Sequence, residues 1–188
     1  SHYRKAVADS AYLLVPAFFG LYLFASPITE LLYTEKFLSS ADFLKAFSFS
    51  YLFLIIPYDA VPRATGKTAW IFKLTFAVGL LSLGGVLLAS KHFGAMETLY
   101  VALAFKLISR LSGLVYSAKI MNWKLAATMP LLKLAKFTGL SLLLTLACVE
   151  ARPYFETELK WFLMCAPVFA LVYLMVFAPW RMRRKNAA

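Results

Sequence analysis

Acidic side chains are scarce in this sequence. Nine Asp and Glu stand against 20 Lys and Arg, leaving a net charge of +11. So few acids leave no paired carboxylates in a plausible common location for general acid–base work. Histidine is rarer still: His2 and His92 stand alone in their loops, without metal-ligand spacing. The two cysteines, Cys148 and Cys165, fall inside hydrophobic stretches. Thiols in that setting act as small core residues more often than as a disulfide or metal pair. No Ser/His/Asp set and no glycine-rich phosphate loop is present either. We therefore expect no enzyme, no resident cofactor and no metal site. Alternating segments of about 10 residues, the mark of a membrane β-barrel, are missing as well. The chain opens on Ser1 with no signal peptide before its first apolar stretch. On that ground we expect the C-terminal part of a longer chain.

What the sequence has in abundance is hydrophobic length. It is 62% hydrophobic with a mean hydropathy of +0.72, whereas soluble domains sit near about 45–50% apolar. The expected fold class is an all-α integral membrane protein. Six stretches approach the about 20 residues needed to cross a bilayer: 10–32, 45–62, 69–90, 97–119, 131–149 and 161–180. Short connections join them into one bundle over 1–188. Pro16 and Pro27 lie in the first stretch, Pro57 and Pro62 interrupt the second, and Pro167 lies in the sixth. Gly79, Gly84 and Gly85 in the third permit close helix approach. Arg63–Lys67 and Lys91–Ala95 are tight turns. Residues 120–130 read as a short interfacial helix with Trp123 and Lys124 at headgroup level.

In such a chain the excess of cations first reports topology, not nucleic acid. Thirteen Lys and Arg fall at the N-terminus, in alternate loops and at the C-terminal run Arg181–Lys185, against five in the intervening loops. That bias places both termini in the cytoplasm.

Two cations are left over, and they lie inside the fourth stretch. Lys106 and Arg110 are four residues apart and share a helical face, beside Ser109, Ser112, Gly113 and Ser117. A charge at bilayer depth costs about 2.5–3.5 kcal/mol on insertion scales, so the pair should face a bundle interior or a watery cavity. Like charges at this spacing also repel. One reading is a cavity that attracts a phosphate or acidic sugar, for which Arg offers a forked donor set. The other is a structural ion pair with an acid on another helix. Asp59 is the candidate acid, but Arg110 lies about 13 Å from the end of its own span at 1.5 Å per residue. Asp59, between two prolines, is also a candidate proton or sodium site in a broken helix. Pairing with Arg63 is the commoner use of such an acid. Multiple spans, buried cations and no catalytic set together point to transport.

Several stretches carry a family likeness. They are Arg4-Lys5, residues 15–21 around Pro16 and Gly20, residues 25–33 around Pro27, then Phe37, residues 41–44, and the turn at Ala64–Lys67. Residues 93–96 between the third and fourth stretches fit the same pattern. In these positions the chain resembles the C-terminal half of the multidrug/oligosaccharidyl-lipid/polysaccharide exporter superfamily, especially its O-antigen and capsule-type flippases. Thr34 departs from it, since the family usually has Gly there. The resemblance implies the later six-span part of a MATE-like two-lobe transporter in the bacterial cytoplasmic (inner) membrane. It implies a substrate too: undecaprenyl-diphosphate-linked oligosaccharide, moved to the outer leaflet for surface polysaccharide such as O-antigen lipopolysaccharide. The anion for Lys106 and Arg110 would then be the diphosphate or acidic sugars. Implied partners are that lipid-linked oligosaccharide, membrane lipids and other polysaccharide-assembly membrane proteins, with no nucleic acid. The alternatives are a multidrug exporter of organic cations, which would want more acids than Asp59, and a glycan-assembly membrane enzyme, which would want a larger external loop. A membrane scaffold, its cations paired to a partner helix, is a further class.

Overall fold

The computed structural model describes residues 2–33, 35–123 and 129–185, and its regular structure is all helical, with no strand among them. In chain order the helices are α1 (His2–Leu23), α2 (Ala25–Tyr33), α3 (Ser40–Leu54), α4 (Ala60–Ala64), α5 (Thr68–His92), α6 (Ala95–Ile120), α7 (Leu131–Ala151) and α8 (Glu158–Lys185). Among the described residues, five segments are long and apolar enough to cross a membrane: Tyr3–Leu23, Thr68–His92, Ala95–Ile120, Leu131–Tyr154 and Glu158–Phe177.

The second expected stretch, 45–62, is not one continuous helix. α3 ends at Leu54, residues 55–59 leave the helical path, and the five-residue α4 follows. Alone, α3 spans about 22 Å at 1.5 Å per residue, short of a hydrocarbon core of about 30 Å. Pro57 and Pro62 explain the break, because each lacks the N–H that would continue the ladder. The turn after α4 closes with Lys67 N–H donating to Pro62 O (2.8 Å) and Gly66 N–H to Arg63 O (3.2 Å). Gly66 sits at φ +72°, where the missing Cβ removes the steric penalty.

The first stretch starts earlier than the hydropathy suggested, at His2, which places Asp9 inside the spanning window. Pro16 does not stop it. Proline removes the donor that would reach the carbonyl four residues back, here Tyr12, and the Tyr173 hydroxyl donates to that oxygen instead at 2.9 Å. Pro27 does mark a break, at Phe24 between α1 and α2.

α1 is the centre of the bundle. It packs between α3 and α7, and α8 lies across α1, α2 and α7. Val7, Ala11, Tyr12 and Val15 of α1 meet Phe137 of α7 and Tyr173 of α8 in the main core. A second core holds Phe24, Cys148, Trp161, Cys165 and Phe169, in which Trp161 Nε1 donates to Cys148 O (2.7 Å). Both cysteines are free and buried there. Trp123 is half-buried and its ring lies 6.2 Å from that of Tyr3. Lys124 and the rest of the expected interfacial helix to residue 128 lie outside the described residues, as does Thr34.

On the far side of α3 the order continues with α6 and then α5. Along α5 only Ala89 is buried, and Phe72 (70% exposed) shows how fully its outer face is presented.

A polar cleft between two helices

α5 and α6 form an antiparallel hairpin pinned at two levels. Near the Thr68 end, Trp70 stacks on Tyr116, with centroids 3.7 Å apart and planes 6° from parallel. Near the other end Gly85 brings α5 against Phe105, where a Cβ on the glycine would sit 2.6 Å from the ring edge. Between these pins the side chains are short and the helices leave a gap. Thr75, Val78, Gly79 and Ser82 recur at helical spacing along α5, and Ala102, Phe105, Lys106, Ser109 and Arg110 face them from α6. Tyr58, from the break between α3 and α4, completes the cleft, whose volume is about 260 Å³. A Cβ on Gly79 would meet nothing within 4 Å, so that glycine borders open space.

Lys106 and Arg110, read from the sequence as one face, are thus brought together on one polar wall. Both are half-buried, and no acid lines the cleft among the described residues. What offsets each charge differs. Lys106 Nζ lies 5.6 Å from the centroid of Phe47 on α3. The guanidinium carbon of Arg110 lies 4.6 Å from the Tyr58 ring centroid, and its NH1 donates to Ile56 O at 3.3 Å. Cation–π contacts of this kind are worth about 0.5–2 kcal/mol depending on desolvation. An arginine carries five donors, so one bond to a carbonyl leaves capacity for a ligand.

Asp59 stands beside Tyr58 in sequence but does not line the cleft. Its Oδ2 accepts from Arg63 Nε at 2.8 Å, one helical turn on, and the side chain is 30% exposed. Arg110 therefore finds its partner in a backbone carbonyl and an aromatic ring, and the acid goes to Arg63.

Sequence reasoning passed over Tyr58, Thr75 and Ser82. Tyr58 had a signal: Pro62 stands four residues later and cannot donate to its carbonyl. Ser117 of α6 donates to that oxygen at 3.5 Å, and Gly113 lets Tyr58 lie directly against the α6 backbone. Thr75 and Ser82 had a weaker one, the seven-residue spacing that sets them on one face around Gly79. Compared with known proteins, the chain matches no family model, no curated protein and no solved structure.

Proposed function

We propose that this chain is part of a membrane transporter that moves undecaprenyl-diphosphate-linked oligosaccharide across the bacterial cytoplasmic membrane. The observation that carries the reading is the polar cleft in which Lys106 and Arg110 lie together with no acid lining it among the described residues. Two cations so placed attract a phosphate-bearing headgroup, and the exposed apolar face of α5 beside them suits a lipid tail. At about 260 Å³ the cleft is smaller than the about 300–1,000 Å³ of sites that enclose drug-sized molecules. It suits a phosphate group, with the sugars outside.

In this reading α3 and α4 together make the second of six crossings, and both termini are cytoplasmic. Irregular backbone at membrane depth is tolerated where protein covers it. Arg110, Gly113 and Ser117 of α6 supply that cover at residues 55–59. The alternation of cation-rich and cation-poor loops supports the orientation. The family likeness of residues 4–67 supports the two-lobe, MATE-like assignment and the choice of substrate.

The test uses the full-length protein in proteoliposomes with a labelled lipid-linked oligosaccharide. Wild type moves the label between leaflets, while the Lys106→Ala/Arg110→Ala double variant inserts and folds but does not. Equal movement in both would remove the pair from the substrate path. Export of organic cations in place of the glycolipid would transfer the assignment to a drug exporter.

A further inference from the structure

Arg110 belongs to two settings at once. It lines the cleft with Lys106, and it also ties down the break between α3 and α4 through Ile56 O and the Tyr58 ring. That break holds one backbone bond of normal length, Tyr58 N–H to Ile56 O at 2.9 Å, and the other bonds its N–H groups donate are long. Ile55 N–H to Leu52 O and Ile56 N–H to Phe53 O are both 3.3 Å, and Ala60 N–H to Pro57 O is 3.4 Å. The bond from Ser117 is longer still, at 3.5 Å. Against these, normal N–H···O bonds cluster near about 2.9–3.0 Å. The attachment of residues 55–59 to α6 thus depends on Arg110 and on the seating of Tyr58 over Gly113.

A phosphate oxygen beside Lys106 would compete for the same guanidinium. A bond from Arg to an anion is roughly twice as strong as one between neutral groups, and bidentate geometry adds to it. We propose that Arg110 is a positioning residue that couples anion binding in the cleft to the α3–α4 break. It ties Ile56 to α6 until a phosphate-class anion at Lys106 draws it away, and residues 55–59 are then released. This rests on the anion reading of the cleft given above. Lys106 is the attracting charge, and Arg110 is the link. A two-lobe transporter needs such a connection between occupancy and helix movement, and the crossing's helical ladder is interrupted between Leu54 and Ala60.

Hydrogen–deuterium exchange at residues 55–60 of the full-length protein in nanodiscs tests the idea. The probes are farnesyl diphosphate and inorganic diphosphate, with binding measured in parallel. In wild type, bound probe raises exchange at these amides by about tenfold, the factor carried by one charge-assisted hydrogen bond. Arg110→Lys keeps the charge but loses the fork, so its exchange is already raised without probe and rises no further with it. Lys106→Gln exchanges like wild type without probe and loses the response. Exchange within α1 and α7 stays constant in every case, which separates a local release from misfolding. A response to farnesyl diphosphate alone assigns the anion to a lipid headgroup, and a response to both assigns it to the diphosphate itself; either supports the coupling. Probe bound to wild type with unchanged exchange overturns this proposal and leaves the transport reading intact. No binding of either probe overturns both.

Discussion

Three glycines in the α5–α6 hairpin meet different surroundings, and replacing each with alanine separates helix propensity from packing. Any Gly→Ala change inside a helix gains about 0.8–1.0 kcal/mol of propensity. At Gly79 the new methyl meets nothing within 4 Å, so the gain stands alone. At Gly85 it would lie 2.6 Å from Phe105 Cε2, the far end of a ring that can turn aside. At Gly113 it would lie 2.8 Å from Tyr58 Cδ2 and closer still to Tyr58 Cβ, an atom fixed to the backbone of the break. Ordinary carbon contacts fall at about 3.5–4.0 Å, so α6 and residues 55–59 must separate. Overpacking of this sort costs about 1–3 kcal/mol. Set against the propensity gain, Gly113→Ala ends about 0–2 kcal/mol below wild type and Gly79→Ala up to about 1 kcal/mol above it. Gly85→Ala falls between. The assay is thermal unfolding of the purified full-length protein in one detergent, where each kcal/mol moves the midpoint by about 2–4 °C for about 150–250 residues and by less for a longer chain. If Gly113→Ala melts at or above Gly79→Ala, Tyr58 is not seated on α6 and the account of the break fails.

Three further outcomes follow from the same geometry. Tyr173→Phe removes the donor that stands in for Pro16 and costs about 1 kcal/mol; in a Pro16→Ala background, where residue 16 can donate to Tyr12 O itself, the double-mutant cycle should show most of that cost gone. Asp59→Asn breaks only a partly exposed pair with Arg63, worth about 0.3–0.5 kcal/mol, so stability and transport in proteoliposomes both stay near wild type; loss of gradient-driven transport would instead make Asp59 a coupling site. Cys148 and Cys165 are 7% and 8% exposed, so a maleimide should label them only after denaturation, and rapid labelling of the folded protein would contradict the second core.

Hydropathy made the long helices legible, because α5, α6, α7 and α8 follow the apolar runs and require no tertiary information. It failed at the ends and the interruption. α1 begins eight residues before the first apolar stretch was placed, since a helix can run on through polar residues once Val7 and Ala11 find a core. The second stretch was read as one crossing interrupted by Pro57 and Pro62, and the interruption proved wide enough to divide it into two helices. Lys106 and Arg110 were found by charge, and their common face follows from their spacing. The opposing wall on α5 was harder, because Thr75, Gly79 and Ser82 matter through what they leave open between two pinned helices.

The partner of Arg110 was missed for a more general reason. A search for what offsets a membrane-buried cation naturally counts acids, and that count leads to Asp59. Yet each proline in a helix also creates an acceptor, the carbonyl four residues earlier. Pro16 frees Tyr12 O, taken by Tyr173, and Pro62 frees Tyr58 O, taken by Ser117. At the same interruption Ile56 O accepts from Tyr58 N–H at 2.9 Å and, with its second lone pair, from Arg110 at 3.3 Å. Ile56 O lies two residues beyond the C-terminal end of α3, where the helix dipole adds partial negative charge and favours a cation. A proline-broken helix thus provides a basic side chain with a partner that carries no formal charge. An acid would hold the guanidinium tightly, whereas a neutral carbonyl at 3.3 Å holds it more loosely. The proposed exchange of Arg110 between Ile56 O and an anion draws on that difference.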